Sequence, residues 1–313
     1  MKSDDYDHIP VLLDEVLRGL DVRQDGTYID CTFGRGGHSQ ALLEQLGPNG
    51  KLLVFDKDPE AIKTAQKLSA ADSRVQYFHA SFSRLAEKVR TTGLDGSVDA
   101  ILFDLGVSSP QLDDNRRGFS FSRDGSLDMR MDPATGISAA DWINHAPLEE
   151  ISHVLKVYGE EKFFYRIATA IVAARSEKFI NTTLELADLI AVVVPGKEIK
   201  KHPATRTFQA IRIHINNELE EITQGLVQAF DLLRIHGRLL AISFHSLEDR
   251  IVKRFMREYT LSDPYPKEVP VTADMIRPRM KLLGKAVKPG MKEIAVNPRS
   301  RSAVLRMAEK LTP

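Results

Sequence analysis

The sequence predicts an α/β fold: a mostly parallel, doubly wound sheet interrupted by an all-helical insertion. Two observations predict the sheet and one predicts the insertion. Strand-like and helix-like segments alternate through the first hundred residues. The strand segments are apolar throughout, as in Ala100-Ile101-Leu102-Phe103, which suits strands covered on both faces. Between Gly106 and His202 strand patterning disappears and helical periodicity takes over. The predicted organisation is a sheet domain over 1–107 and 203–313, with a helical insertion for substrate recognition over 108–202.

Taken in order, the strands fall at Thr27–Cys31, Leu52–Asp56, Val75–His79 and Val98–Asp104. Helices fall between them at Ser39–Leu46, Pro59–Leu68 and Phe82–Arg90. Asp58 is a good N-cap, and Pro59 stands where a first-turn proline is tolerated. An irregular stretch from Val107 to Pro133 follows. Apolar residues then recur at helical spacing from Ile151 to Tyr158, from Phe163 to Ile171 and over Leu184–Val194. From about Ala204 one long amphipathic helix is expected, with Ile211, Ile215, Leu219, Ile222, Leu226 and Phe230 on one stripe. A strand over Arg238–Phe244, a helix over Leu247–Tyr259 capped by Ser246, and a closing strand pair near Met280–Leu283 and Ala303–Ala308 complete the reading.

Composition bounds the function. A chain of 313 residues, 42% hydrophobic and 27% charged, has ample material for a core. No apolar run approaches the roughly 18–20 residues of a membrane helix, and the acidic start Met1–Asp7 lacks the apolar stretch of a signal peptide. A cytoplasmic protein without a membrane partner is expected. One cysteine excludes an internal disulfide and a cysteine-rich zinc site, and no metal site is expected. The formal net charge is zero, yet Arg277–Lys310 holds ten Lys/Arg against two Glu. Such a one-sided basic region suits a polyanion.

The segment Tyr28-Ile29-Asp30-Cys31-Thr32-Phe33-Gly34-Arg35-Gly36-Gly37-His38-Ser39 carries the most information. A strand ends in three closely spaced glycines, a helix begins, and the next strand stops at Asp56. That layout is half of a nucleotide-type cofactor site. A dinucleotide fingerprint begun at Gly34 would need glycine at position 39, where Ser39 stands, and no phosphate-binding P-loop pattern occurs. The short glycine loop with an acid on the second strand fits S-adenosylmethionine better, with Asp56 on the ribose hydroxyls. A nicotinamide dehydrogenase stays as the rival on the loop alone. Asp104 ends the fourth strand, and ligands bind at strand carboxyl ends. The polar loop after it, with Ser108, Ser109 and Pro110, partly matches the acid-then-proline layout of amino-group methyltransferases.

The chain closely resembles the bacterial small-subunit rRNA cytosine-N4 methyltransferases over nearly its whole length. The resemblance is carried by 8–13 (HIPVLL), Thr32–Ser39, Asp104–Asp113, Arg117–Phe121, Leu127–Asp132, His202–Ala210 and Ser243–Arg250. It implies a class I S-adenosylmethionine-dependent methyltransferase fold, Rossmann-like, with the helical insertion. It also implies methyl transfer to N4 of one cytosine in the decoding centre of 16S rRNA in the small ribosomal subunit, and it allows for a homodimer. Cofactor contacts carry over to Gly36, Gly37 and His38 beside Gly34, to Asp56, and to Phe82, Asp104 and Gln111. Phe82 and Gln111 rest on the resemblance alone.

Cytosine N4 is a weak nucleophile, because its lone pair is delocalised into the ring. Acceptors that polarise the amino group help it. The candidates are Ser108, Ser109 and Pro110 with Asp104, and His245 is a weaker candidate better read as holding its loop. A C5 mechanism would use a cysteine after the fourth strand, and the lone Cys31 lies in the first. RNA contacts are expected from Arg117 and Phe119 in the irregular loop, from Lys201 and Arg206, and from Arg299 and Arg301, with Arg116, Arg123, Arg130, Lys200, Arg212 and Phe121 in support. A non-enzymatic ribosome-assembly factor is the third class considered, and the intact glycines, Asp56 and Asp104 argue against it.

Overall fold

The computed structural model describes residues 10–195, 202–261 and 278–313. The chain divides into two compact units. One comprises Met1–Gly106 with Leu219–Pro313, and the other Val107–Glu218.

The first unit opens with α1 (Leu13–Leu20), followed by β1 (Thr27–Asp30), α2 (Gly37–Leu43), β2 (Lys51–Asp56), α3 (Pro59–Ala71), β3 (Val75–His79), α4 (Leu85–Arg90) and β4 (Val98–Asp104). The assignments of these four strands from sequence hold to within a residue, whereas the strand expected over Arg238–Phe244 begins five residues earlier, at Leu233, and the one expected over Ala303–Ala308 runs on to Lys310. Asp58 caps α3 by accepting the Glu60 N–H, with Pro59 in the first turn. The expected helix over Phe82–Arg90 is a 3-10 turn, Phe82–Arg84, running into α4.

The second unit carries α5 (Ser109–Asp113), α6 (Ala139–His145), α7 (Leu148–Gly159), α8 (Phe164–Glu177), α9 (Thr183–Val193) and α10 (Thr205–Ile215). Among its described residues the only β pairing is an isolated bridge between Ser126 and Thr182. Its core gathers Trp142, Ile151, Leu155, Ile167, Ile171, Leu186, Phe208 and Ile211. The return expected at 203 lies later in the contacts, because α10 packs on α7. A Cβ on Gly159 would stand 2.9 Å from the Arg206 carbonyl oxygen, so the two helices approach at a glycine.

The chain then continues through α11 (Glu218–Leu232), β5 (Leu233–Ser243), α12 (Ser246–Thr260), β6 (Met280–Leu282), α13 (Met291–Val296) and β7 (Val304–Lys310). The long helix expected from Ala204 is two helices. Asn216 ends α10, and Asn217 takes a left-handed φ of 51° before α11. The cap of α12 is His245 rather than Ser246.

One seven-stranded sheet runs β3-β2-β1-β4-β5-β7-β6. β1 to β5 are parallel, and β7 is antiparallel to both of its neighbours, β5 and β6. The register puts Tyr28, Leu52 and Ala100 in one row and Ile29, Leu53 and Ile101 in the next. Because side chains alternate across a strand, the first row joins a core with α1, α2 and α3. The second joins one with α4, α11 and α12. The fully apolar strands are therefore explained by cover on both faces, and the carboxyl ends of β1, β2 and β4 open at one edge.

Candidate active site

At that edge the first unit gathers a set of polar groups. The loop after β1 turns on Gly34 (φ 56°) and Gly36 (φ 78°), backbone angles that side-chain-bearing residues rarely adopt. The Gly34 N–H donates to Asp56 Oδ2 at 2.8 Å, and the Asp58 N–H donates to Oδ1 at 2.8 Å. Each Asp56 oxygen keeps a lone pair for a ligand. Burial pushes this carboxyl up to about 6, against the pull of those two N–H donors.

Asp104 stands at the end of β4. Its N–H donates to Thr32 Oγ1 at 2.6 Å. Its Oδ2 lies 3.7 Å from His38 Nδ1, and its buried Oδ1 has no hydrogen-bond partner. Burial pushes Asp104 up to about 6; His38 opposes the rise, and the charges of Asp30 and Glu248 add to it. Asp30, at the end of β1, accepts from Ser39 Oγ at 2.7 Å and from the Thr32 N–H. Its carboxyl is raised by burial against the Ser39 hydroxyl.

Ser39, which stands where a dinucleotide fold would have its third glycine, thus ties α2 to β1. Three carboxylates from β1, β2 and β4 act on one another here. Such a cluster repels a pyrophosphate and suits a cation. S-adenosylmethionine, with a sulfonium and an ammonium, fits these residues, and the orphaned Asp104 oxygen is where a positive group or donor is missing.

The other candidates fall as follows. Phe82 is half-buried, its ring edge-on to Phe103 at 5.4 Å and against Gly225 of α11. Cys31 is buried in the core, where burial holds its thiol well above its usual range. His245 caps α12: its Nδ1 accepts the Glu248 N–H, while Glu248 Oε2 accepts from the Phe244 and His245 N–H groups. That is the loop-holding role expected of it.

In the second unit, the Ser108 N–H donates to Gln111 Oε1 at 2.9 Å at the start of α5, and Gln111 is buried. Ser109 and Pro110 form the first turn of that helix. Arg117 donates to the Arg130 and Met131 carbonyls and lies over the Phe119 ring. Phe119 is 7% exposed and belongs to the helical core, so the stacking surface expected of it is turned inward. Phe121 packs on Phe208 and His202. Arg130 and Arg212 are engaged by Asp128 and Glu218, Arg116 pairs with Asp114, and Arg123 is exposed. Arg206 is half-buried near the Glu160 carbonyl. Lys200 and Lys201 lie outside the described residues, as do His8 and Ile9. Arg299 and Arg301 are exposed in the first unit.

Sequence reasoning missed Asp30, Thr32 and Ser39. Asp30 was legible in principle, as the acid that ends the strand before the glycine loop.

A sheet of order 3-2-1-4-5-7-6 with a reversed seventh strand, and a glycine loop and acids at its carboxyl edge, defines a class I methyltransferase. The sequence matches the model of the MraW methylase family over residues 5–311, and the chain belongs to that family. It is 54% identical over 305 residues to ribosomal RNA small subunit methyltransferase H of Coxiella burnetii (strain RSA 331 / Henzerling II), covering 97% of this chain and 99% of that one. The protein of the same name from strain Dugway 5J108-111 matches at the same identity and coverage. Among solved structures, an rRNA methylase from Streptococcus thermophilus aligns over 96% of this chain and 94% of its own, at 12% identity and a TM-score of 0.42.

Proposed function

We propose that this protein uses S-adenosylmethionine to methylate the exocyclic N4 of one cytosine in the decoding centre of 16S rRNA, in the cytoplasm. The observation that carries the reading is the orphaned Asp104 oxygen among three interacting carboxylates. The name shared by the Coxiella relatives supports the small ribosomal subunit as the source of the target. The burial of Cys31 disfavours covalent attack at C5 and so favours N4 over C5 if the target is cytosine, as the resemblance implies.

When bound, S-adenosylmethionine supplies an electrophilic methyl group on a positive sulfur. The backbone of Gly34 to Gly37 lets the ligand approach closely, with His38 beside it, and Asp56 accepts from the ribose hydroxyls. Phe82 and Gln111 are the proposed further contacts. Asp104 would place negative charge beside the positive centre and is the proposed acceptor of the proton that the amine loses. In the second unit, Ser108, Ser109 and Pro110 are the proposed contacts to the target amino group. The base has to leave its stack to react, so an unpaired or flipped nucleotide is the expected substrate.

Mass spectrometry of small-subunit rRNA nucleosides from cells with and without the protein tests this. N4-methylated cytidine that vanishes with the gene supports it, and an unchanged nucleoside profile overturns it. Asp56→Ala is expected to abolish cofactor binding by calorimetry.

A further inference from the structure

The motif over 8–13 is prominent in the sequence, yet nothing above gives it a task. Its described part lies directly against the site. Pro10 packs on Gly37, where an added Cβ would stand 2.5 Å from Pro10 Cγ. The Val11 carbonyl lies 2.9 Å from His38 Nε2. A carbonyl only accepts, so Nε2 carries a proton there, and Nδ1 is the ring nitrogen turned toward Asp104.

Leu12 is buried in the left-handed conformation, φ 54° and ψ 36°, which a leucine rarely adopts. Such strain persists only where the surroundings over-determine it. Here the Leu12 N–H donates to Glu293 Oε1 at 2.8 Å, across 281 positions of sequence.

We propose that the Pro10-Val11-Leu12 turn, clamped by Glu293, is a positioning element for methyl transfer. It holds His38 with Nδ1 toward Asp104, so that Asp104 is oriented to accept the proton the target amine loses. This rests on the amine-methylation reading above. The amine lone pair forms the new N–C bond while the S–C bond breaks and its electron pair stays on sulfur. The methylated nitrogen then gives its surplus proton to an Asp104 oxygen, which releases it to water. His38 and Glu293 act through Asp104 and are positioning residues. The other ionisable groups facing the pair are Asp30 from β1 and Glu248 from α12, both negative when ionised. They favour a proton on Asp104.

The test uses the full-length protein and small-subunit particles from cells lacking the modification. Single-turnover methyl transfer is followed against pH, with the product identified by mass spectrometry. His38→Gln keeps an N–H for Val11 and removes the ring nitrogen that faces Asp104. It is expected to lower the maximal rate about tenfold or more and to move the acidic limb of the pH profile. Glu293→Ala is expected to lower kcat about tenfold without raising KM for the particles, whereas Glu293→Gln, which still accepts from Leu12, retains the wild-type rate. Calorimetry measures S-adenosylmethionine binding by each variant, and the rates are compared at saturating cofactor. Wild-type rates and limbs in both His38→Gln and Glu293→Ala overturn the proposal. So does a Glu293→Gln variant as slow as Glu293→Ala. A wild-type enzyme that makes no N4-methylcytidine sinks the underlying reading instead.

Discussion

In the proposed cofactor site, Asp56 and Asp104 are the single residues whose charge state matters most. Both carboxyls are pushed up to about 6 by burial in the ligand-free protein. Their folded values lie above the unfolded value of 3.8, so the folded state holds more protons between roughly pH 4 and pH 6. The stability they contribute is fully present below the unfolded value and is lost as pH rises through about 6. A bound cation reverses that cost, because it favours the ionised forms. S-adenosylmethionine affinity is therefore expected to fall as pH drops through about 6, and calorimetry in a pH series checks it. A ligand-free Asp104→Asn variant should unfold at a higher temperature than wild type near pH 7.5, by a stability difference on the order of 1–2 kcal/mol. The difference should shrink near pH 5, where the native carboxyl is largely protonated. The same variant is expected to lose methyl transfer. A lower melting temperature near pH 7.5 would sink the argument.

At the scale of elements, long-range side-chain contacts close what the backbone leaves open. Lys310, at the end of β7, is buried and its ammonium donates to the carbonyls of Phe230 and Leu233 at 2.8 Å and of Asp231 at 3.4 Å. These carbonyls lie at the end of α11, where cations are favoured. Lys310→Met keeps the apolar stem and orphans the carbonyls, so it should cost about 1–3 kcal/mol and lower the urea midpoint with an unchanged m-value. In the second unit Asn216 accepts from the Met131 N–H and donates to the Met129 carbonyl, both at 2.7 Å, and so holds a left-handed Met129 at φ 61°. Asn216→Ala should destabilise that unit by about 2 kcal/mol, and hydrogen exchange over 127–131 would report it. These contacts also mark what the sequence made legible. Apolar runs and glycines are local, so β1 to β4, the glycine loop, Asp56 and Asp104 could be read directly. The break at Asn216 and Asn217 was hidden, because the apolar stripe continues across it with helical spacing. Ser39–Asp30, His38–Val11 and Leu12–Glu293 join residues 9, 27 and 281 positions apart, and no local pattern encodes such pairings.

On the whole molecule, a formal net charge of zero offers no general attraction to RNA, so binding has to come from how charge is distributed. The structure trims the basic region that the sequence marked over Arg277–Lys310. Arg279 lies over the Tyr259 ring, Arg306 pairs with Asp249, and Lys310 caps α11, while Arg277 lies outside the described residues. What remains exposed is Lys281, Lys285, Lys288, Lys292, Arg299 and Arg301, in the stretch from β6 to just before β7. The single acid in that stretch, Glu293, accepts from the Leu12 N–H. Exposed cations concentrated in one stretch of an overall neutral protein attract RNA through released counterions, and that attraction falls steeply with salt. A triple variant Lys288→Gln, Lys292→Gln and Arg301→Gln should therefore bind small-subunit rRNA more weakly. Its slope of log affinity against log salt should be shallower by about 2, at roughly 0.7 per lost phosphate contact. Because none of the three residues belongs to the carboxylate cluster, cofactor affinity should match wild type. Filter binding across a salt series, paired with calorimetry for S-adenosylmethionine, separates the two effects. An unchanged slope would remove this stretch from the RNA-binding surface and leave the exposed cations of the second unit to supply it.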